Sequence, residues 1–144
     1  MKKTFGRFVI GVLAFTVTAG AMAQLTVEEQ IKFRQSAYVF AAWNMGKIKA
    51  QVVDGDVPYN KEQVEAAARA IAGVANSGMG ALYGPGTGES SGWKTTRLDP
   101  KFFDEPDKVR EIAIRFNAEA NRLVEVAATG DRAAIAAQFA AVGD

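Results

Sequence analysis

Apolar side chains recur at helical spacing in four stretches of the chain. The first stretch runs over residues 26–53, where positions three and four apart define one face. Thr26 and Glu29 fit a capping box at its start, and Gly55 and Pro58 break the pattern at its end. A long amphipathic helix is therefore predicted, and the residues on its inner face are Val27, Ile31, Arg34, Tyr38, Ala41, Met45, Ile48 and Val52.

A second helix is predicted to start at Asn60, with Gln63 as the capping-box partner three residues on. Ser77 and Gly78 mark its end, because serine and glycine favour turns over helix. The residues on its inner face are Val64, Ala68, Ile71 and Ala75.

The third and fourth predicted helices are separated by a tight joint. The third begins near Asp104 with Pro106 in its first turn, and Thr129 and Gly130 form its stop. Asp131 then caps the fourth helix, and the short joint makes the two helices antiparallel neighbours. Their inner faces carry Val109, Ile112, Phe116, Ala120, Leu123 and Ala127 in the third helix, and Ile135, Phe139 and Val142 in the fourth.

The segment 79–103 shows no helical or strand period. Its GPGTG stretch, residues 84–88, lacks the pattern of a phosphate-binding loop and is interpreted as a turn. Its aromatic residues predict that this long connection packs back on the helices. The fold predicted is an all-α, up-down-up-down four-helix bundle with one long crossover between the second and third helices. The fourth helix is short, at roughly 18 Å against about 40 Å for the first.

The N-terminal 23 residues have the pattern of a secretory signal peptide. Lys2, Lys3 and Arg7 precede an apolar run, and a small-residue cleavage site ends at Ala23. We expect export to the periplasm, with an uncleaved membrane anchor as the alternative, and a domain over residues 24–144. Without the signal, 14 basic residues face 16 acidic ones. A net charge of −2 does not favour binding to nucleic acid or to an anionic membrane.

The chain of 144 residues contains no cysteine and no histidine. Disulfides, Cys/His zinc sites and histidine-based catalytic triads are therefore excluded within it. No carboxylate pair lies in an apolar setting, so an enzyme is not indicated. Methionines on apolar faces, such as Met45 and Met79, are interpreted as core residues rather than metal ligands.

Arg34 is the charged residue on the predicted inner face of the first helix, and a charge at such a position needs water or a polar partner. One interpretation is an arginine whose head reaches water and pairs with a surface carboxylate. The other is a guanidinium that binds a ligand carboxylate or phosphate inside the bundle. Tyr38, one turn further along the same face, is by spacing a core aromatic or a pocket residue.

Three segments resemble the cytochrome c′ family, particularly its purple-bacterial branch with a tyrosine at the distal position. They read FRQSAYVFAAWNMGKIKA in the first helix, ANSGMGALYGPGT after the second, and TRLDPKFF before the third. The resemblance runs over residues 25–144. It implies haem c, bound through a CxxCH motif in the fourth helix, with histidine as the only protein ligand of a five-coordinate iron.

The CxxCH motif is absent from this sequence. We expect from the resemblance that the chain stops just before it, and that covalent haem attachment is not possible in the chain as written. A natural haem-free paralogue is the alternative. The implied role is electron transfer or binding of NO and CO in the periplasm, and a haem-free helical binding or interaction module is the alternative function.

The resemblance also assigns cofactor-binding positions. Arg34 and Gln35 correspond to the pair at the haem edge, with Arg34 near a propionate, and Tyr38 lies over the open iron face. Tyr83 corresponds to an aromatic residue beside the ring. The crossover residues near the propionates are Thr96 and Arg97.

A second apolar stripe on the first helix predicts an assembly. It consists of Val39, Trp43, Gly46 and Ala50, and small residues beside a tryptophan allow two helices to approach closely. We expect a homodimer through this helix, as in the resembling family. The alternative is that the crossover covers the stripe within one subunit.

Overall fold

The first helix starts where the capping pattern places it. In a computed structural model, which describes residues 24–143, α1 spans Val27–Ile48. The Thr26 hydroxyl accepts a hydrogen bond from the Glu29 backbone N–H at 3.2 Å, and the Glu29 carboxylate accepts one from the Thr26 N–H at 2.8 Å. This reciprocal pair satisfies two N–H groups that a helix start leaves free. The predicted signal peptide lies outside the described residues.

The last turn of the predicted first helix is a π-helix, Lys49–Val53. Within it Gln51 is buried, and its Oε1 accepts a hydrogen bond from the Asn60 backbone N–H at 2.8 Å. The Asn60 side chain caps α2, Lys61–Ala75, by accepting from the Gln63 backbone N–H at 3.0 Å. The prediction that Gln63 completes a capping box is therefore wrong, because Gln51 takes the Asn60 N–H.

The third and fourth helices follow their predicted signals closely. α3 spans Pro106–Thr129 and ends at Gly130, which has a left-handed φ of 76°. α4 spans Arg132–Gly143, and Asp131 Oδ1 accepts the backbone N–H groups of residues 133 and 134 at 3.0 and 3.2 Å. Local side-chain chemistry is sufficient to set these boundaries.

Consecutive helices pack against each other in the order α1, α2, α3 and α4, and α4 also contacts the π-helix. This confirms the up-down-up-down four-helix bundle with a short fourth helix. The core fills one end of the bundle, where several alanines allow the helices to approach closely. The core residues are Ile48, Val52, Val64, Ala67, Ala68, Ile71, Ala72, Ala120, Leu123, Ala127 and Ile135.

The crossover between α2 and α3 packs along α1, as its aromatic residues predict. It contains two 3-10 turns, Met79–Leu82 and Pro100–Phe103, and an isolated bridge between Ser91 and Thr95. The GPGTG stretch is a turn, in which the Thr87 N–H donates to the Gly84 carbonyl at 3.2 Å. Further helix or strand is absent from this segment.

Candidate functional site

The apolar face of α3 divides into a packed half and an open half. Leu123 in the C-terminal half is fully buried, whereas Ile112 in the N-terminal half is 52% exposed. The open half lines a cavity of about 690 Å³, bounded also by α1, the crossover and the end of α4. Its apolar and aromatic walls include Met79, Phe102, Val109, Ile112, Phe116 and Val142. We call it the inner cavity.

Arg34 is buried against Tyr83, a residue of the inner cavity wall, and 4% of its surface is exposed. Its Nη2 donates to the Thr87 carbonyl at 2.7 Å and to the Thr96 hydroxyl at 2.6 Å, and its Nη1 donates to the Leu82 carbonyl at 3.4 Å. The interpretation that its head reaches water is therefore wrong. A fork of N–H donors suits this task, because one guanidinium can hold separate points of the crossover at once.

Tyr83 is held rigidly between Arg34 and an aromatic neighbour. The guanidinium lies 4.7 Å from the centre of the Tyr83 ring, and the Phe102 ring stacks on Tyr83 at 4.7 Å. Burial raises the pKa of the Tyr83 phenol well above its ordinary value, and the hydrogen bond with Tyr38 raises it further. Tyr83 therefore remains a neutral hydroxyl at any physiological pH.

Tyr38 meets Tyr83 through their hydroxyl groups, whose oxygens are 3.0 Å apart. Tyr38 is 49% exposed and lines the inner cavity. It is thus a pocket residue rather than a core aromatic. The interior of the bundle opens at this level of α1, so an inner-face position does not lead to burial here.

Gln35 fixes the tip of the crossover on the outer side of α1. Its Oε1 accepts from the Trp93 N–H at 2.9 Å, and its Nε2 donates to the Lys94 carbonyl at 2.9 Å. The Trp93 indole N–H donates to the Ser36 hydroxyl at 2.9 Å. Gln35 therefore serves the crossover rather than the wall of the inner cavity.

A second depression, of about 1150 Å³, lies between α1 and the crossover tip. We call it the outer groove. Arg97 is exposed and lines this groove, as does Thr96. All six predicted site residues line the outer groove, and only Tyr38 and Tyr83 among them also line the inner cavity.

Two contributors were missed in the sequence. Thr87 is fully buried and supplies a carbonyl to Arg34, and Phe102 supplies the stacking ring. Neither lies in a periodic segment. The only available signal was the unusual concentration of glycine and aromatic residues in the crossover, which points to a functional segment without naming partners.

The inner cavity fits a largely apolar small molecule. Its volume is in the range of small-molecule sites, and most of its lining is apolar. A thioether-linked haem requires cysteine, and the sequence has none. The described part of the chain contains no group of three or more His, Cys, Asp or Glu residues that could hold a metal ion.

Comparison with known proteins identifies the family to which the sequence is similar. The family model Cytochrome C' matches residues 29–144. Cytochrome c' of Allochromatium vinosum is 49% identical over 144 residues, which cover 99% of this chain and 92% of the relative. The expected resemblance is thereby confirmed at the level of sequence.

Solved structures agree with this assignment. A cytochrome c' with an unusual ligand-controlled dimer dissociation has a TM-score of 0.78 and 53% identity, covering 84% of this chain and 90% of its own. A ferrous variant of cytochrome c prime from Alcaligenes xylosoxidans with bound NO has a TM-score of 0.69 and 25% identity, covering 82% and 87%. The family comprises haem c proteins that carry electrons or bind small gases. The chain belongs to the cytochrome c′ family.

Proposed function

We propose that this chain is a periplasmic haem protein whose inner cavity holds the haem, for electron transfer or for binding NO and CO. The open half of α3 carries this proposal. Val109, Ile112 and Phe116 continue the stripe that buries Leu123, yet they face the cavity instead of another helix. An apolar face left open in this way favours an apolar occupant.

The surrounding residues have separable tasks. The apolar walls exclude water, and Tyr38 and Tyr83 border the cavity with neutral hydroxyls. Arg34 contacts the Tyr83 ring of this wall, and with Gln35, Thr96 and Arg97 it lines the adjoining outer groove, so we place the anionic propionates of haem toward that groove. Bound haem supplies an iron that exchanges an electron or takes a diatomic ligand.

These 144 residues offer no cysteine for a thioether link and no histidine as an iron ligand. The lining of the inner cavity offers haem apolar contact, the charge of Arg115, hydrogen bonds, and oxygen or sulfur atoms such as those of Tyr38, Tyr83 and Met79. Non-covalent binding is therefore the form in which this chain is to be tested.

A haem titration of the purified chain tests the proposal. We expect a saturable shift of the Soret band on titration. Ile112→Asp should weaken the haem affinity at least about tenfold, because burying an unpaired carboxylate against an apolar ring costs free energy. The control is Ile114→Asp, since Ile114 is 63% exposed and does not line the cavity. Equal haem affinity of the two variants, or no saturable binding by the parent, would favour a haem-free helical binding module.

We propose further that a second copy of the chain covers the second apolar stripe of the first helix. Val39 and Trp43 are 70% and 60% exposed, so the crossover does not cover them and the alternative of an intramolecular cover is wrong for these residues. Gly46 beside them is also exposed, and Ala50 is half-buried. Dimerisation of a related cytochrome c' is described in a similar structure. A two-fold contact between α1 helices would bury this apolar surface.

Sedimentation of the parent and of Gly46→Glu tests the interface. A Cβ atom at Gly46 meets no atom within 4 Å, so the glutamate does not strain the subunit itself. We expect a dimeric parent and a monomeric variant at micromolar concentration. Gly73→Glu is the matched control, because Gly73 on α2 is equally open. A monomeric parent, or a dimeric Gly46→Glu variant, would remove this interface.

Export to the periplasm rests on the N-terminal pattern of Lys2, Lys3, Arg7 and the apolar run that follows. Among residues 24–143, no helix combines the length and apolar character needed to cross a membrane. Mass spectrometry of the protein from a periplasmic extract should find Gln24 as the first residue. An intact N-terminus in the membrane fraction would indicate the uncleaved anchor.

A further inference from the structure

Gln24 is the residue that cleavage after Ala23 would place at the N-terminus of the exported chain. Glutamine at a chain end has a reactive pair of groups, because its α-amino nitrogen can reach its own side-chain amide carbon and close a five-membered ring. Whether that ring forms depends on what holds the amine and the amide in the folded protein.

The fold leaves Gln24 outside the cap of α1. Contacts of the chain with this helix begin one residue later, where the Leu25 carbonyl accepts a hydrogen bond from Gln30 Nε2 at 3.1 Å, and the capping box begins at Thr26. Gln24 itself is exposed, and its side chain makes no hydrogen bond to any of residues 24–143. Its amide is therefore free to turn back on its own backbone nitrogen.

We propose that Gln24 becomes a pyroglutamate once the signal peptide is removed. The neutral α-amino nitrogen attacks Cδ of the side-chain amide, so that a new C–N bond forms and the bond from Cδ to Nε2 breaks. The side-chain nitrogen leaves as ammonia and carries away the proton that the amine loses. One amide replaces another without oxidation or reduction, and no co-reactant is needed. This modification rests on the proposed export, because only a cut at this bond gives Gln24 a free amine.

Ring closure changes the charge and the chemistry of this chain end. An α-amino group has a pKa of about 8 and is mostly protonated at neutral pH, whereas the lactam carries no charge. The closed end also presents no primary amine to an aminopeptidase. Leu25 and Thr26, which supply the first contacts and the cap of α1, are thereby shielded from removal.

Intact-mass spectrometry of the protein from a periplasmic extract tests the modification. We expect residues 24–144 with a mass lowered by about 17 Da, the mass of ammonia, and a chain end that resists a broad-specificity aminopeptidase. Treatment with pyroglutamyl aminopeptidase should expose Leu25 as the first residue. Gln24→Ala is the matched control, because it keeps Ala23 before the cut and has no side-chain amide. It should show its full mass and should lose N-terminal residues to the aminopeptidase.

A second sample separates ring closure from export. A chain released in vitro, by cutting a fusion protein directly before Gln24, should lose the same mass on incubation. The loss should become faster as the pH rises toward about 8, because only the neutral amine attacks. An intact N-terminus at Met1 in cells would defeat the proposed export, and the released chain would still judge the closure. An unchanged mass of the released chain, or an exported chain that begins at Gln24 with its full mass, would overturn the modification.

Discussion

Replacement of Arg34 tests whether one buried cation holds the crossover on α1. Arg34→Met keeps an unbranched apolar stem of similar length and removes every N–H donor of the guanidinium. The Thr87 carbonyl and the Thr96 hydroxyl, which accept from Nη2 at 2.7 and 2.6 Å, lose that partner. The contact with the Tyr83 ring is lost as well.

The size of the effect follows from these contacts. A hydrogen bond from a charged donor contributes about 1.5–3 kcal/mol, so two short ones contribute roughly 3–6 kcal/mol. Removal of a buried charge returns part of this, because its desolvation costs several kcal/mol. We therefore expect Arg34→Met to lower the free energy of unfolding by about 3 kcal/mol. Arg34→Lys should lower it by about 2 kcal/mol, since an ammonium group cannot reproduce the fork.

Urea unfolding followed by circular dichroism measures the loss, and amide hydrogen exchange localises it. In Arg34→Met, protection of backbone amides against exchange should fall first in the crossover and should remain in α2. The control is Arg69→Met, which removes an exposed ion pair with Glu65 at 3.2 Å and should cost less than about 1 kcal/mol. A cost for Arg34→Met no larger than for Arg69→Met would show that the guanidinium does not hold the crossover.

Three further predictions concern attachment, packing and pH. The chain should acquire no covalent haem beside a full maturation system, and a haem-stained band at its mass on a denaturing gel would contradict this. Gly92→Ala should lower the free energy of unfolding in urea by about 1–3 kcal/mol, because the new Cβ would lie 2.8 Å from the Lys32 backbone nitrogen. Gly73→Ala, at a helical position with open space, should instead raise that free energy by about 0.5–1 kcal/mol. Hydrogen bonds from Thr26 lower the pKa of the Glu29 carboxyl below 4.5. The contribution of Glu29 to stability is therefore present above pH 4.5 and is lost as the pH falls through its folded-state pKa. A Glu29 titration midpoint at or above 4.5, measured by NMR, would contradict this.

Helix boundaries could be predicted because their causes are local. Thr26 with Glu29, Pro106, Gly130 and Asp131 act on backbone groups within a few residues, so the printed sequence contains both partners of each interaction. The helical period likewise identified which face turns inward. Together these signals predicted the bundle, its long crossover and its short last helix.

The exceptions arose where a distant residue competes for a local group. Gln51 takes the Asn60 N–H that a capping box would use, and no local pattern shows that a π-helix brings Gln51 there. Arg34 likewise binds the Thr87 carbonyl, 53 positions away in sequence. Sequence spacing placed Arg34 on the inner face but left its acceptors open.

The cavity itself depends wholly on the tertiary structure. Ile112 and Leu123 are equivalent in the periodic pattern of α3, yet Leu123 is fully buried and Ile112 is 52% exposed. The pattern records which face of a helix is apolar, whereas burial depends on what the rest of the chain places opposite that face. Similarly, the family resemblance indicated Tyr38 and Tyr83 as candidates, but only the folded crossover brings their hydroxyl oxygens to 3.0 Å. That distance is set by long-range packing and not by their separation along the chain.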